Sequence, residues 1–190
     1  MNVYDFDNTI YNGDSTFDFY LFCLKRNKNI IKRFPNLAKS FTKFYVFKKG
    51  NKTEFKENMY SFLKYIDTEK EVKEFWKTHL KNIKPWYFEN QMDSDLIISA
   101  SPEFLLKPIC RILGIKHLIA SKVSPVDGKY TGKNCHGKEK VRRYKQLYNE
   151  KIEEFYSDSY SDNPLALISK KPYMVKGDKI TKWDFNKAPK

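Results

Sequence analysis

Near its start the chain reads Asn2-Val3-Tyr4-Asp5-Phe6-Asp7-Asn8-Thr9, an apolar run that breaks into alternating carboxylates. Strand side chains alternate faces, so Asp5 and Asp7 point the same way with Phe6 opposed. Three more polar clusters follow in order. Ser99-Ala100-Ser101 comes after the apolar Leu96-Ile97-Ile98, and Asp158-Ser159-Tyr160-Ser161-Asp162 after a run from Ile152 to Tyr156. Gly137-Lys138-Glu139-Lys140 lies between them. In a parallel α/β sheet the C-terminal ends of strands open onto one crevice, where ligands bind. Carboxylates, a hydroxyl and an ammonium should therefore converge there.

That inventory suits Mg²⁺-assisted phosphoryl transfer. One carboxylate can attack phosphorus and carry a covalent aspartyl-phosphate. The other can protonate the leaving oxygen and later deprotonate water. Two ionised carboxylates repel an anionic substrate unless a cation sits between them, and Mg²⁺ takes carboxylate oxygens, substrate phosphate and water. Asp158 and Asp162 are placed to complete its shell. Lys140 and the Ser99 hydroxyl would hold the equatorial phosphoryl oxygens, where charge spreads in the transition state.

Over nearly its whole length, and in all four clusters, the sequence resembles the haloacid dehalogenase superfamily of phosphatases. Asp5-x-Asp7-x-Thr9 is similar to the first motif, with Asp5 as nucleophile and Asp7 as acid/base. Ser99 looks like the hydroxyl of the second motif, Lys140 like the third-motif lysine, and Asp158 with Asp162 like the acidic fourth motif. The resemblance implies a metal set of Asp5, Asp7 through its main-chain carbonyl, Asp158 and Asp162. It implies phosphate contacts from Thr9, Ser99, Ala100 and Lys140. The carboxylate of Asp7 places the chain away from the dehalogenase and phosphonatase branches, which lack one there. The closest likeness is to the phosphoserine-phosphatase-like branch, which implies an α/β fold: a Rossmann-like three-layer core with a central, mostly parallel sheet (1–14 and 92–190) and an all-helical cap (15–91) inserted after the first strand.

Each motif also has a plain structural reading. Ser101 is a good helix N-cap and Pro102 suits a first helical turn. Asp158-x-x-x-Asp162 could cap a helix opened by Pro164. Asp14 stands nine residues after Asp5, where phosphoserine phosphatases carry a glutamate that meets the substrate amine, yet it or Ser15 could equally cap the first cap helix. Ser99-Ala100-Ser101-Pro102 also departs from the Ser-Gly-Gly of those enzymes.

The remaining elements follow from local signals. After a strand over 2–6 and a helical region from about 15 to 90, we expect a strand at Leu96–Ser99 and a helix over Glu103–Leu113 closed by Gly114. A strand at Leu118–Ala120 precedes a hairpin from Val123 to Tyr130 with a two-residue turn at Asp127-Gly128. A helix over Lys138–Asn149, a strand at Phe155–Ser157, a helix over Pro164–Ser169 and an edge strand at Tyr173–Val175 complete the core.

The 190 residues carry 36 Lys+Arg against 23 Asp+Glu, a net charge of +13, and most of that excess lies in 17–52, interleaved with aromatic residues. A cap with a solvated lysine face is one reading; attraction to a polyanion or an anionic membrane is the other. No nucleic-acid motif accompanies the charge, so no nucleic-acid partner is expected. Cys23, Cys110 and Cys135 form no CxxC pair, and a strand from residue 2 leaves no room for a signal peptide. A cytoplasmic monomer or homodimer with reduced thiols is expected. The function expected is Mg²⁺-dependent hydrolysis of a small phosphomonoester, with phosphoserine-like, sugar and lipid-linked phosphates as candidates. The alternative is a silent module of the same fold that docks polyanions or membranes through its basic segment.

Overall fold

The computed structural model describes residues 1–27, 30 and 57–187. Six strands build one sheet: β1 (Val3–Tyr4), β2 (Leu96–Pro102), β3 (His117–Ser121), β4 (Ile152–Ser157), β5 (Ser169–Lys176) and β6 (Lys179–Lys182). Their spatial order is β3-β2-β1-β4-β5-β6, with the first five parallel and β6 antiparallel to β5. The short β1 lies between β2 and β4, with Tyr4 opposite both Ile97 and Tyr156.

Alternation along the strands feeds two cores. Tyr4 and Ile97 join Phe19, Phe75, Trp76, Leu105 and Leu106 on one face; Val3, Leu96 and Ile98 join Tyr144, Phe155 and Leu165 on the other. The first face is covered by α1 (Ser15–Arg26), α2 (Thr68–His79), α3 (Pro85–Asn90) and α4 (Glu103–Ile112). The second carries α5 (Lys138–Leu147) and the short α6 (Asn163–Ala166). Strands buried on both faces read as continuous apolar runs, as Leu96-Ile97-Ile98 does.

The helical character expected for 15–90 holds where the chain is described, with 3₁₀ segments at Ser61–Tyr65, ahead of α2, and at Leu80–Asn82, between α2 and α3. The basic stretch 17–52 lies mostly outside the described residues. Outgoing and returning chains are paired: Tyr11 bridges Ile83 antiparallel, and the Trp76 indole N–H donates to the Leu105 carbonyl at 2.8 Å. Helix α4 ends as expected, with Gly114 at φ 74. The three cysteines are free and buried, and among the described residues no helix is long and apolar enough to cross a membrane.

Four local expectations are corrected. β2 continues through Ser101 to Pro102, with a register irregularity after Ile98, so Ser101 does not cap α4. The hairpin bridges Val123 to Tyr130, but the Ser124 N–H donates to the Lys129 carbonyl at 2.8 Å, which leaves a four-residue loop over 125–128. The helix expected over Pro164–Ser169 covers Asn163–Ala166, and Ser169 already opens β5. Finally, β5 is not the edge; β6, exposed at all four residues, is.

Candidate active site

Asp5 follows β1 directly, and its N–H donates to the Tyr156 carbonyl at 2.9 Å, extending the sheet by one residue. The chain then turns sharply: the Phe6 carbonyl accepts from the amides of Thr9, Ile10 and Tyr11, and Asn8 takes a left-handed φ of 55°. The turn holds Asp5 and Asp7 at the strand's C-terminal end. Register carries Ser99 of β2 and Asp158, just past the end of β4, to either side of Asp5, each one residue beyond its level.

Lys140 reaches this crevice from the first turn of α5. Its side chain is 2% exposed, and its ammonium donates to Asp5 Oδ1 at 2.9 Å and Asp162 Oδ2 at 2.7 Å. Burial works against that charge, but Asp162 and Asp5 outweigh it and hold the ammonium above its ordinary pKa. Asp162 Oδ2 also accepts from the Ser157 hydroxyl at 2.9 Å, while its Oδ1 is buried without a partner. Burial pushes the Asp5 carboxyl up to about 7, with Lys140 opposing and Asp162 adding. Asp158 is likewise raised, chiefly by burial.

Asp7 is gripped from two sides. Oδ1 accepts from the Ser15 N–H at 2.7 Å, at the start of α1, and Oδ2 accepts from the Ser101 hydroxyl. Ser101 Oγ in turn lies 2.9 Å from Thr16 Oγ1. Burial first and the charge of Asp14 second raise the Asp7 carboxyl to about 6, against the hydrogen bonds of Ser101 and Ser15. A carboxyl poised there can give and take a proton near neutrality.

Four of the expected residues thus meet in one ion-paired cluster or beside it: Asp5, Lys140, Asp162 and Asp158. Ser99 is buried, its Oγ accepting from the Ser101 N–H at 3.1 Å, and Ala100 is half-buried beside it. Three of the expected residues are held by contacts within the protein, Asp14 in the capping role that was one of its two expected ones. Thr9 is fully buried and its hydroxyl accepts from the Asp158 N–H at 3.0 Å, so it ties the first loop to the fourth rather than facing phosphate. The exposed Asp14 caps α1, accepting from the Phe17 N–H at 3.0 Å. Asp162 holds Lys140 with Oδ2 and leaves Oδ1 without a partner. Sequence reasoning missed Ser101, Thr16 and the buried Lys84. For Ser101 the available signal was its spacing of two from Ser99 on the same strand, which Pro102 disguised as a helix start.

A model of the haloacid dehalogenase-like hydrolases matches residues 3–167. A histidinol-phosphatase from Neisseria meningitidis serogroup C (strain 8013) is 26% identical, over 94% of this chain and 90% of that protein. Among solved structures, a Bordetella pertussis Tohama I protein of unknown function superposes with a TM-score of 0.69 at 22% identity, covering 90% of this chain and 87% of that one. A phospho-aspartyl intermediate analogue of phosphoserine phosphatase gives 0.52 at 18% identity, covering 90% and 83%. With its acidic first loop, buried lysine and parallel sheet, the chain belongs to the haloacid dehalogenase-like hydrolase family and is a phosphatase of that family.

Proposed function

We propose that this chain hydrolyses a small phosphomonoester through an aspartyl-phosphate at Asp5, with Mg²⁺ as cofactor. The observation that carries the reading is the contrast between its two first-loop carboxylates. Asp5 is ion-paired to a buried lysine, which suits a nucleophile. Asp7 has no ion pair among the described residues and is aimed by the Ser15 N–H and the Ser101 hydroxyl, which suits an acid/base.

The steps follow from these settings. An Asp5 oxygen attacks phosphorus, the bond from phosphorus to the leaving oxygen breaks, and Asp7 gives that oxygen a proton. Asp7, now ionised, takes a proton from water. The water oxygen attacks phosphorus, releasing phosphate and the free Asp5 carboxylate. Lys140 and Ser99 stabilise the equatorial oxygens in both steps.

The donor set fits a hard cation. Asp5, the Asp7 main-chain carbonyl and Asp158 would hold it, and the partnerless Asp162 Oδ1 marks further unsatisfied negative charge. Among the described residues no three side chains form a ready-made cage; Mg²⁺ binds through one or two carboxylates, water and substrate phosphate. When bound, it would neutralise the carboxylates and polarise the phosphoryl group.

For the substrate we favour a phosphorylated amino compound over a sugar or lipid phosphate. Asp14 is exposed and its charge reaches Asp7, so a cationic group on the substrate would be drawn to that side. The names of the relatives, histidinol-phosphatase and phosphoserine phosphatase, point the same way. The helical insertion serves as the cap, and its described part is fixed to the core by the Tyr11–Ile83 pairing. A phosphate-release screen with Mg²⁺ and with EDTA tests the reading. EDTA-sensitive turnover, highest on amine-bearing phosphates, is expected; no Mg²⁺-dependent release on any phosphomonoester would overturn it.

A further inference from the structure

The insertion leaves and re-enters the core as a paired junction. The Asn12 N–H donates to the Asn82 carbonyl and the Lys84 N–H to the Ile10 carbonyl, each at 2.8 Å. Lys84 closes that junction, but its side chain goes elsewhere. It is only 4% exposed, and its ammonium donates to the carbonyl oxygens of Asn8 at 2.7 Å and Gly177 at 2.6 Å. Asn8 sits in the first loop between Asp7 and Thr9, and Gly177 in the turn between β5 and β6.

An ammonium buried against carbonyls alone is unfavourable unless those contacts are needed. Burial lowers its proton affinity, with Asp178 and Asp158 opposing. Asn8 gives the reason for the contact. It is the one non-glycine with positive φ among the described residues, a conformation that persists only where the surroundings over-determine it. Its N–H is held by the Gly13 carbonyl at 2.9 Å and its C=O by Lys84. The second acceptor matters too, because Lys176, next to Gly177, donates to the Asp158 carbonyl. One buried cation thus touches the first acidic loop directly and, through the β5–β6 turn and Lys176, is linked to the loop that bears Asp158.

We propose that Lys84 is a positioning residue: its ammonium locks Asn8 in the left-handed conformation and tethers the β5–β6 turn to the same loop, fixing the aim of Asp7 and Asp158. This deepens the phosphatase reading and rests on it for its catalytic consequence, though the lock itself can be read without turnover.

The test compares Lys84→Met and Lys84→Arg with the wild-type full chain, well below each melting temperature. Hydrogen exchange of the amides at 8–11, which needs no substrate, should be at least about 10-fold faster in Lys84→Met. The Mg²⁺ concentration for half-maximal hydrolysis of an aryl phosphate should rise about 10- to 100-fold, as for other residues that orient ligands. Calorimetric affinity for beryllofluoride with Mg²⁺ should fall in parallel. Lys84→Arg, keeping charge and donors, should recover part of each. A lower melting temperature with unchanged loop exchange, Mg²⁺ requirement and beryllofluoride affinity would make Lys84 a merely structural lysine and overturn the proposal. If Lys84→Met fails to fold, Lys84→Gln takes the same measurements under the same criterion. A wild type without Mg²⁺-dependent activity would overturn the phosphatase reading, and the exchange experiment would still decide the lock.

Discussion

The crevice and the helical face covering the sheet are organised by opposite means. In the crevice, directed contacts join distant positions: Lys140 to Asp5 across 135 residues, Asp158 to Thr9 across 149 and Ser101 to Asp7 across 94. Under α1 and α2, aromatic rings meet edge to face, Phe19 with Phe75 at 5.4 Å and Phe75 with Trp76 at 4.7 Å, and directed contacts such as the Trp76 indole to the Leu105 carbonyl are few beside that packing. Removing a crevice group should therefore cost activity more than stability, and removing a ring the reverse. A residue that violates this division would show the two regions to be coupled.

The largest effect should come from Asp5→Asn. An amide cannot form the acyl-phosphate, so turnover should fall by on the order of 10³-fold or more, with the melting temperature little changed. Asp7→Asn comes next, with a loss of roughly 10²- to 10⁴-fold on substrates with poor leaving groups. Nitrophenyl phosphates, which need less protonation, should suffer less; equal losses on both would remove Asp7 from its role.

The opposite side of the comparison is tested by Phe75→Ala. Phe75 is fully buried, and such truncations cost about 3–5 kcal/mol. Denaturant unfolding should show that loss, while the Mg²⁺ requirement of the folded enzyme stays put. Thr9→Val lies on the boundary. It deletes the acceptor for the Asp158 N–H, so it should cost about 1–3 kcal/mol and also raise the Mg²⁺ requirement.

What the sequence made legible follows the same division. Asp5, Asp7 and Asp158 stood out because an apolar run ending in a polar group marks a strand end by local pattern alone, and Lys140 because its place between the second and fourth clusters matched the third motif. Ser101 and Lys84 did not, since their partners lie 94 and 76 positions away; Pro102 gave Ser101 the look of a helix cap, and nothing local sets Lys84 apart from a surface lysine. β6 escaped notice because Lys179-Ile180-Thr181-Lys182 is an exposed edge with no apolar alternation to bury. Thr9 and Asp14 were recognised as site-proximal, but which atom each hydroxyl or carboxylate meets depends on turn geometry that spacing does not encode.

The smallest effect concerns Asp95, fully buried at the start of β2 and away from the crevice. Its Oδ2 accepts from the Met92 N–H at 2.9 Å, its Oδ1 has no partner, and burial raises its carboxyl to about 6. A carboxylate whose folded pKa exceeds its unfolded value of about 3.9 favours folding when protonated. Its contribution should grow as pH falls from 7 through 6 and level off below about 4. The gain between pH 7 and pH 5 should be roughly 1 kcal/mol. Asp95→Asn should flatten that part of the stability profile, read by urea unfolding at pH 7 and pH 5; an unchanged pH slope would place the effect elsewhere.

The central claim, a covalent phosphate on Asp5, is tested most directly by rapid quench of the enzyme turning over substrate, followed by borohydride reduction and peptide mass spectrometry. An acyl-phosphate on Asp5 is reduced to the alcohol, so the account predicts homoserine at position 5 in a substrate-dependent fraction of the chain. Phosphate release at full rate with residue 5 remaining aspartate, or with homoserine at another position, would contradict it.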